Sequence, residues 1–143
     1  GDYVEEKLGT ARLREFMALR SIVDAGLEPC NSSDETGTEW LTLDPFFSIW
    51  CAVRRRTFGG AVLNAEQSIT VEEALRMFTI NAARAVFEEG IKGSISVGKL
   101  ADFALLNRNP LEIDPDELRE VAVDETVIGG LTVHRLNESE VDR

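Results

Sequence analysis

The chain has 143 residues, 43% hydrophobic and 29% charged, the balance of an ordinary soluble globular protein, which excludes a disordered chain. Fifteen basic residues against 26 acidic ones give a net charge of −11, which argues against nucleic acid as a partner because phosphate contacts need clustered Lys and Arg. No run approaches the roughly 18 apolar residues of a membrane-spanning helix and no charged-then-apolar leader opens the sequence, so no membrane contact is expected.

Residues 1–9 are polar and lack a cap, and a frayed end is expected there. The sequence opens on Gly1 rather than Met, so the native start is read as missing and a removed signal peptide stays open. From Thr10 to Ala25, Leu13, Phe16, Met17, Ile22 and Val23 follow helical spacing, and Gly26 supplies a stop; the pattern predicts a surface helix with one buried stripe. Arg12, Arg14 and Arg20 lie in it, as solvated cations or in an ion pair to a loop, with substrate contact as the alternative. Leu27 to Asp34, LEPCNSSD, is an apolar-to-polar run predicted to be a strand that delivers one carboxylate to a site. The order helix, strand, loop, helix is the repeat of an α/β barrel or doubly wound sheet, where catalytic groups sit at strand ends. An Asx-turn or helix-cap role fits Asp34 as well, and spacing alone leaves both open. Cys30 and Cys51 fall in predicted strand and helix interiors and are read as small buried hydrophobes in a reducing compartment.

The loop ETGTEWLTL follows, and its Trp40 either lines a pocket or packs the loop onto the domain. Asp44-Pro45 opens a helix as N-cap and first residue, and Phe46, Ile49, Trp50 and Val53 form its core face. Arg54, Arg55 and Arg56 close it, where cations suit the helix dipole, so no phosphate site is read there. FGGAVLNAEQS is a Gly-rich loop without phosphate-loop spacing. Thr70 and Glu73 form a capping box, and a helix with Val71, Ala74, Leu75, Phe78, Ala82, Ala85 and Val86 on one face is predicted to run to Gly90. Thr79 and Asn81 within it are read as local hydrogen-bonders. From Gly93 the character turns to strand: 94–97, 103–107, 126–128 and 131–135 are short runs rich in Val, Ile, Leu and Thr, with Gly129-Gly130 as a two-residue hairpin turn. Asp102 is expected to bond neighbouring amides, the stretch around Pro115, Glu117 and Leu118 to make one helical turn, and NESEVDR to be a solvated tail.

Taken together, SSD at Ser32 to Asp34, then LDPFFSIWCAVRRRT, SITVEEALRMFTINAARAVFEEGIKGSISVGKLADFALLNRNPL and VDETVIGGLTVHR resemble the C-terminal part of a metal-dependent amidohydrolase, of the type-3 and exoenzyme-regulatory-protein-like branch. The resemblance runs from Thr10 to Arg135 and implies an α+β fragment. Residues 1–92 would be the last strand and helices of a TIM-type (β/α)8 barrel, and 93–143 the C-terminal strands of a small composite β-sandwich whose other strands come from the protein's N-terminus.

In such proteins the eighth barrel strand ends in Ser-Asp, so the resemblance makes Asp34 the residue that binds the catalytic metal and takes a proton from the metal-bound water. The family's other ligands are a His-x-His, a Lys or Glu mid-barrel and two further histidines, whereas this chain has one histidine, His134, read as a strand-surface residue rather than a ligand. One carboxylate does not make a catalytic metal site, which takes about three protein ligands. The expectation is therefore a parent hydrolase of non-peptide carbon–nitrogen bonds in small amide or cyclic amide substrates, with a divalent metal, zinc by preference, while this chain alone binds none and is inactive. A cytoplasmic location and a homo-oligomer are expected, the latter because an incomplete barrel and half a sandwich leave unpaired strand edges. The alternative is a non-catalytic α+β interaction module whose acid caps a turn. Two departures from the family stand out: ETGTEW replaces a Trp-Pro or Ala-Pro step, and Asn107 replaces a strand-end Asp.

Overall fold

The computed structural model describes residues 3–33, 40–57 and 59–136. Its first part is helical. Val4–Leu8 (α1) and Thr10–Leu13 (α2) precede an irregular stretch, and Leu19–Asp24 (α3) follows it. The frayed end expected over 1–9 thus holds a helix, and the single helix expected over Thr10–Ala25 is interrupted. The cause lies at Phe16, whose carbonyl accepts from Arg55 Nη2 at 3.1 Å and Asn64 Nδ2 at 3.2 Å instead of from the next helical turn. Met17 turns left-handed there, at φ 48°. α3 ends as its Gly predicted, in a Schellman turn with Gly26 N–H on the Val23 carbonyl at 2.9 Å and Leu27 N–H on the Ile22 carbonyl at 3.2 Å.

A short 3-10 turn, Trp40–Leu43 (η1), leads into Pro45–Arg54 (α4). The Asp44 side chain accepts from Phe46 N–H at 2.8 Å, so the predicted cap is formed. Phe46, Ile49, Trp50 and Ala52 are buried and Val53 half-buried. Among the described residues of the Gly-rich connection are Val62, in an isolated bridge with Arg56, and the 3-10 turn Ala65–Gln67 (η2). Val71–Phe78 (α5) opens with the predicted capping box in full. It stops at Thr79 (φ −122°, ψ −99°), and Ile80–Ala85 (α6) continues beyond this elbow. The helix expected to reach Gly90 is therefore two helices. Thr79 Oγ1 donates back to the Leu75 carbonyl at 2.9 Å, a bond that bends helices. α6 ends early because Phe87, at φ 60°, takes the left-handed place of a Schellman turn, with Glu88 N–H on the Ala83 carbonyl at 2.9 Å.

Phe103–Leu106 (β1), Val123–Ile128 (β2) and Leu131–Arg135 (β3) form an antiparallel meander in the order β1-β2-β3, with Phe103 opposite Val127 and Ile128 opposite Leu131. Gly129 and Gly130 take φ 59° and 79°, the positive pair that a primed hairpin turn requires. Asp102 Oδ1 accepts from Gly129 N–H at 2.7 Å, the predicted role. The run 94–97 is not a strand: despite β-branched residues it has no ladder partner among the described residues, and Ile95 and Val97 lie on the surface.

Between β1 and β2 the chain returns to the helices through Pro115–Glu120 (η3), an extended form of the expected helical turn. Leu118 has 0% exposure and packs with Phe46, Ile49, Trp50, Ala52, Ile69, Ala74, Met77 and Val121 in one cluster. Arg54 pairs with Asp116 at 2.7 Å, and the Arg119 guanidinium lies 4.5 Å above the Trp50 ring. α4, α5 and η3 therefore share a single core that draws on residues from both sides of position 93.

Candidate functional site

Asp34, the predicted site residue, lies outside the described residues, as does most of the loop after it; the side chain of Trp40 is likewise not among the described ones. The structure does describe the approach to Asp34. A strand was expected over residues 27–34; its described part, 27–33, has no regular secondary structure and belongs to no sheet among the described residues. A strand exists only through a neighbour's backbone, and no described segment pairs with this one.

Its bonds go to the α5–α6 pair instead. Glu28 makes ion pairs with Arg84 and, at 3.6 Å, with Arg76. The Pro29 carbonyl accepts from Asn81 Nδ2 at 3.0 Å, and Asn31 N–H donates to the Met77 carbonyl at 3.2 Å. Asn81 is therefore not the local hydrogen-bonder that its helical position suggested; it reaches a residue 52 positions away. Thr79 is local, as expected. Cys30, expected to be buried, is exposed, with no described strand beside it to cover it; Cys51 is half-buried, and burial raises its thiol pKa.

A cavity of about 260 Å³ lies beneath the start of this segment, walled by Val23, Leu27, Pro29, Met77, Arg76 and Asn81 among others. Its one acid with a perturbed pKa is Glu73, and that group is committed elsewhere. Its carboxylate accepts from Arg20 Nη1 and Nη2 at 2.9 and 2.8 Å and from Thr70 N–H at 2.7 Å. The Arg20 bonds above all, opposed by partial burial and aided by Thr70, lower its pKa to about 2. So Arg20 serves an ion pair between helices, close to the expected structural role, and both acids among the cavity's described lining residues, Glu28 and Glu73, are held in ion pairs.

Arg55 is buried, its pKa lowered by that burial, and its guanidinium holds the Phe16 carbonyl rather than completing a solvated end of α4. His134 is exposed on β3, opposite Thr126. Among the described residues no group of three or more His, Cys, Asp or Glu side chains could hold a metal ion. The residues described thus do not fit a complete metal centre.

The amidohydrolase family model matches residues 1–134. The chain is 39% identical over 117 residues to the N-substituted formamide deformylase of Arthrobacter pascens, covering 82% of this chain and 21% of that protein. It is 29% identical over 135 residues to the putative amidohydrolase YtcJ of Bacillus subtilis, covering 92% of this chain and 25% of that one. A crystal structure of an amidohydrolase from Thermotoga maritima superposes with a TM-score of 0.61 at 19% identity, over 86% of this chain and 26% of the other, a likeness of fold. The chain thus spans about a fifth to a quarter of the length of the curated relatives it matches.

Proposed function

The chain belongs to the amidohydrolase family, and on that premise we propose that the protein of which it forms part hydrolyses a non-peptide carbon–nitrogen bond in a small amide or cyclic amide. The observation that carries this is the family match over residues 1–134, joined to the 39% identity with a formamide deformylase. The family is generally metal-dependent, and the proposed resident ion is divalent, with zinc preferred. Residues 1–92 are assigned to the end of a barrel and 93–143 to part of a sandwich. Asp34 is assigned one arm of the site. Its carboxylate would accept the proton of the attacking water and return it to the leaving nitrogen, the work that a positioned acid–base group does. This chain alone lacks the other arms and is proposed to be inactive.

The test compares this chain with the product of its complete reading frame, each with Asp34 intact and as Asn. Elemental analysis reads bound metal, and an N-substituted formamide and a cyclic amide serve as substrates. The proposal expects about one or two ions in the complete protein, none in this chain, and hydrolysis lost on Asp34→Asn. A complete protein that binds no metal and hydrolyses neither substrate would instead favour the interaction module, with Asp34 a turn residue.

A further inference from the structure

We propose that the α5–α6 elbow is a positioning device for the segment that carries Asp34, and that Asn81 is its central residue. Four successive residues meet the elbow through three of their number. Glu28 is held by Arg76 and Arg84, the Pro29 carbonyl by Asn81, and the Asn31 amide by the Met77 carbonyl. Among the described residues no strand lies alongside, and these bonds fix which of the segment's groups face the helices. Asn31 stands three positions before Asp34 in the sequence.

Asn81 is the least replaceable anchor. It is 5% exposed, and the carbonyl it faces obliges it to present its NH2 group. Its Oδ1 is buried without a hydrogen-bond partner among the described residues. A side chain kept in the interior with one acceptor unpaired is costly, and the bond to Pro29 is what the structure shows in return. The arginines around Glu28 are about two-fifths exposed and hold it more loosely. The elbow itself is packed against the backbone at Gly93. A Cβ on Gly93 would stand 2.7 Å from Ala83 Cβ, 3.0 Å from Ile80 Cα and 3.2 Å from the Thr79 carbonyl oxygen, so the 93 backbone lies directly on the bend. Thr79, whose dihedrals break the helix, turns α6 so that Asn81 faces residue 29. A helix running straight through 79 would move that side chain around the axis.

The catalytic meaning of this device rests on the reading of Asp34 given above; the anchoring does not. The test therefore has two parts. In this chain, amide hydrogen exchange is followed by NMR in the wild type, Asn81→Ala and Asp34→Asn. Asn81→Ala is expected to speed exchange of the Asn31 amide by at least about tenfold while α4 amides such as Ala52 keep their protection. Asp34→Asn is expected to leave the Asn31 amide unchanged. Unchanged exchange at Asn31 in Asn81→Ala, or an equal rise across α4, would overturn the proposal.

In the complete protein, hydrolysis of an N-substituted formamide is expected to lose about tenfold in kcat with KM little altered on Asn81→Ala, the mark of a misplaced group rather than weakened binding. An unaltered kcat would overturn the positioning role. Activity retained by Asp34→Asn would refute the reading of Asp34, while the exchange result still decides whether the elbow holds the segment. If Asn81→Ala does not fold, Asn81→Asp, equal in size but without the NH2 donor, carries both measurements. Failure of both variants to fold would make Asn81 a stability residue and end the proposal.

Discussion

Replacing Glu73 by Gln removes one charge while keeping the shape and most of the capping box, in which Gln also serves. Glu73 receives both terminal nitrogens of Arg20 and the Thr70 amide, and its pKa falls from 4.5 to about 2. A shift of that size corresponds to roughly 3 kcal/mol at neutral pH. The Glu73 and Arg20 side chains are 26% and 27% exposed, and solvent screening reduces the expected loss to about 2 kcal/mol. The direction with pH is fixed. A carboxylate with a depressed folded-state pKa contributes fully above its unfolded value, and that contribution fades as pH falls through the folded value. The wild type should therefore exceed Glu73→Gln in unfolding free energy by about 2 kcal/mol at neutral pH. The gap should hold down to about pH 4.5 and close towards pH 2. Urea unfolding followed by circular dichroism, at a series of pH values with equal ionic strength, gives this difference directly. The difference curve isolates Glu73 from the other acids, since they titrate in both proteins. A gap that persists unchanged at pH 2, or one below about 0.5 kcal/mol at neutral pH, would refute the account of the Arg20–Glu73 pair.

Gly93→Ala should destabilise the fold by about 2 kcal/mol or more, because it joins a left-handed φ of 85° to a Cβ contact of 2.7 Å; thermal unfolding measures it, and a melting temperature equal to wild type would contradict the packing described at the elbow. Self-association is expected of this chain, since Phe103, Leu105, Ile128, Leu131 and Val133 are apolar and exposed on a three-stranded sheet. Light scattering should give more than the monomer mass and Leu131→Lys should lower it; a monodisperse wild-type monomer would count against the expectation.

What could be read in the sequence was local. The Asp44 cap, the Thr70–Glu73 capping box, the Gly26 stop and the Gly129-Gly130 turn each involve residues within a few positions of one another, and each is present as predicted. The misreadings are long-range. A helical pattern runs through Phe16, but Arg55 and Asn64, some 39 and 48 residues away, take its carbonyl. Asn81 lies in a helix-like run, yet its side chain reaches the carbonyl of residue 29, and the backbone at 93 packs against the bend beside it. One signal for Asn81 was available: a polar residue of poor helix propensity among alanines on a face that must pack. Asp34 was singled out by its place after an apolar run and by resemblance, and the structure describes the path to it rather than the residue.

The stretch 27–33 joins these observations. It has the apolar-to-polar composition of a buried strand, and the Pro29 carbonyl and Asn31 amide of its backbone are held by Asn81 and Met77. The core of α4, α5 and η3, by contrast, is closed around a Leu118 with no exposure. A finished core beside a strand-like segment without a strand partner is what a covering piece of a larger sheet looks like: the helices hold its outer face, and the sheet neighbours supply the rest of its pairing. That division of labour gives the elbow its importance. If the sheet is completed by other parts of the protein, as the one-fifth to one-quarter coverage of the relatives supports, the helices are what this chain itself contributes to setting the height and register at which Asp34 arrives. A substitution at Asn81 should then weaken the site without touching any reacting atom.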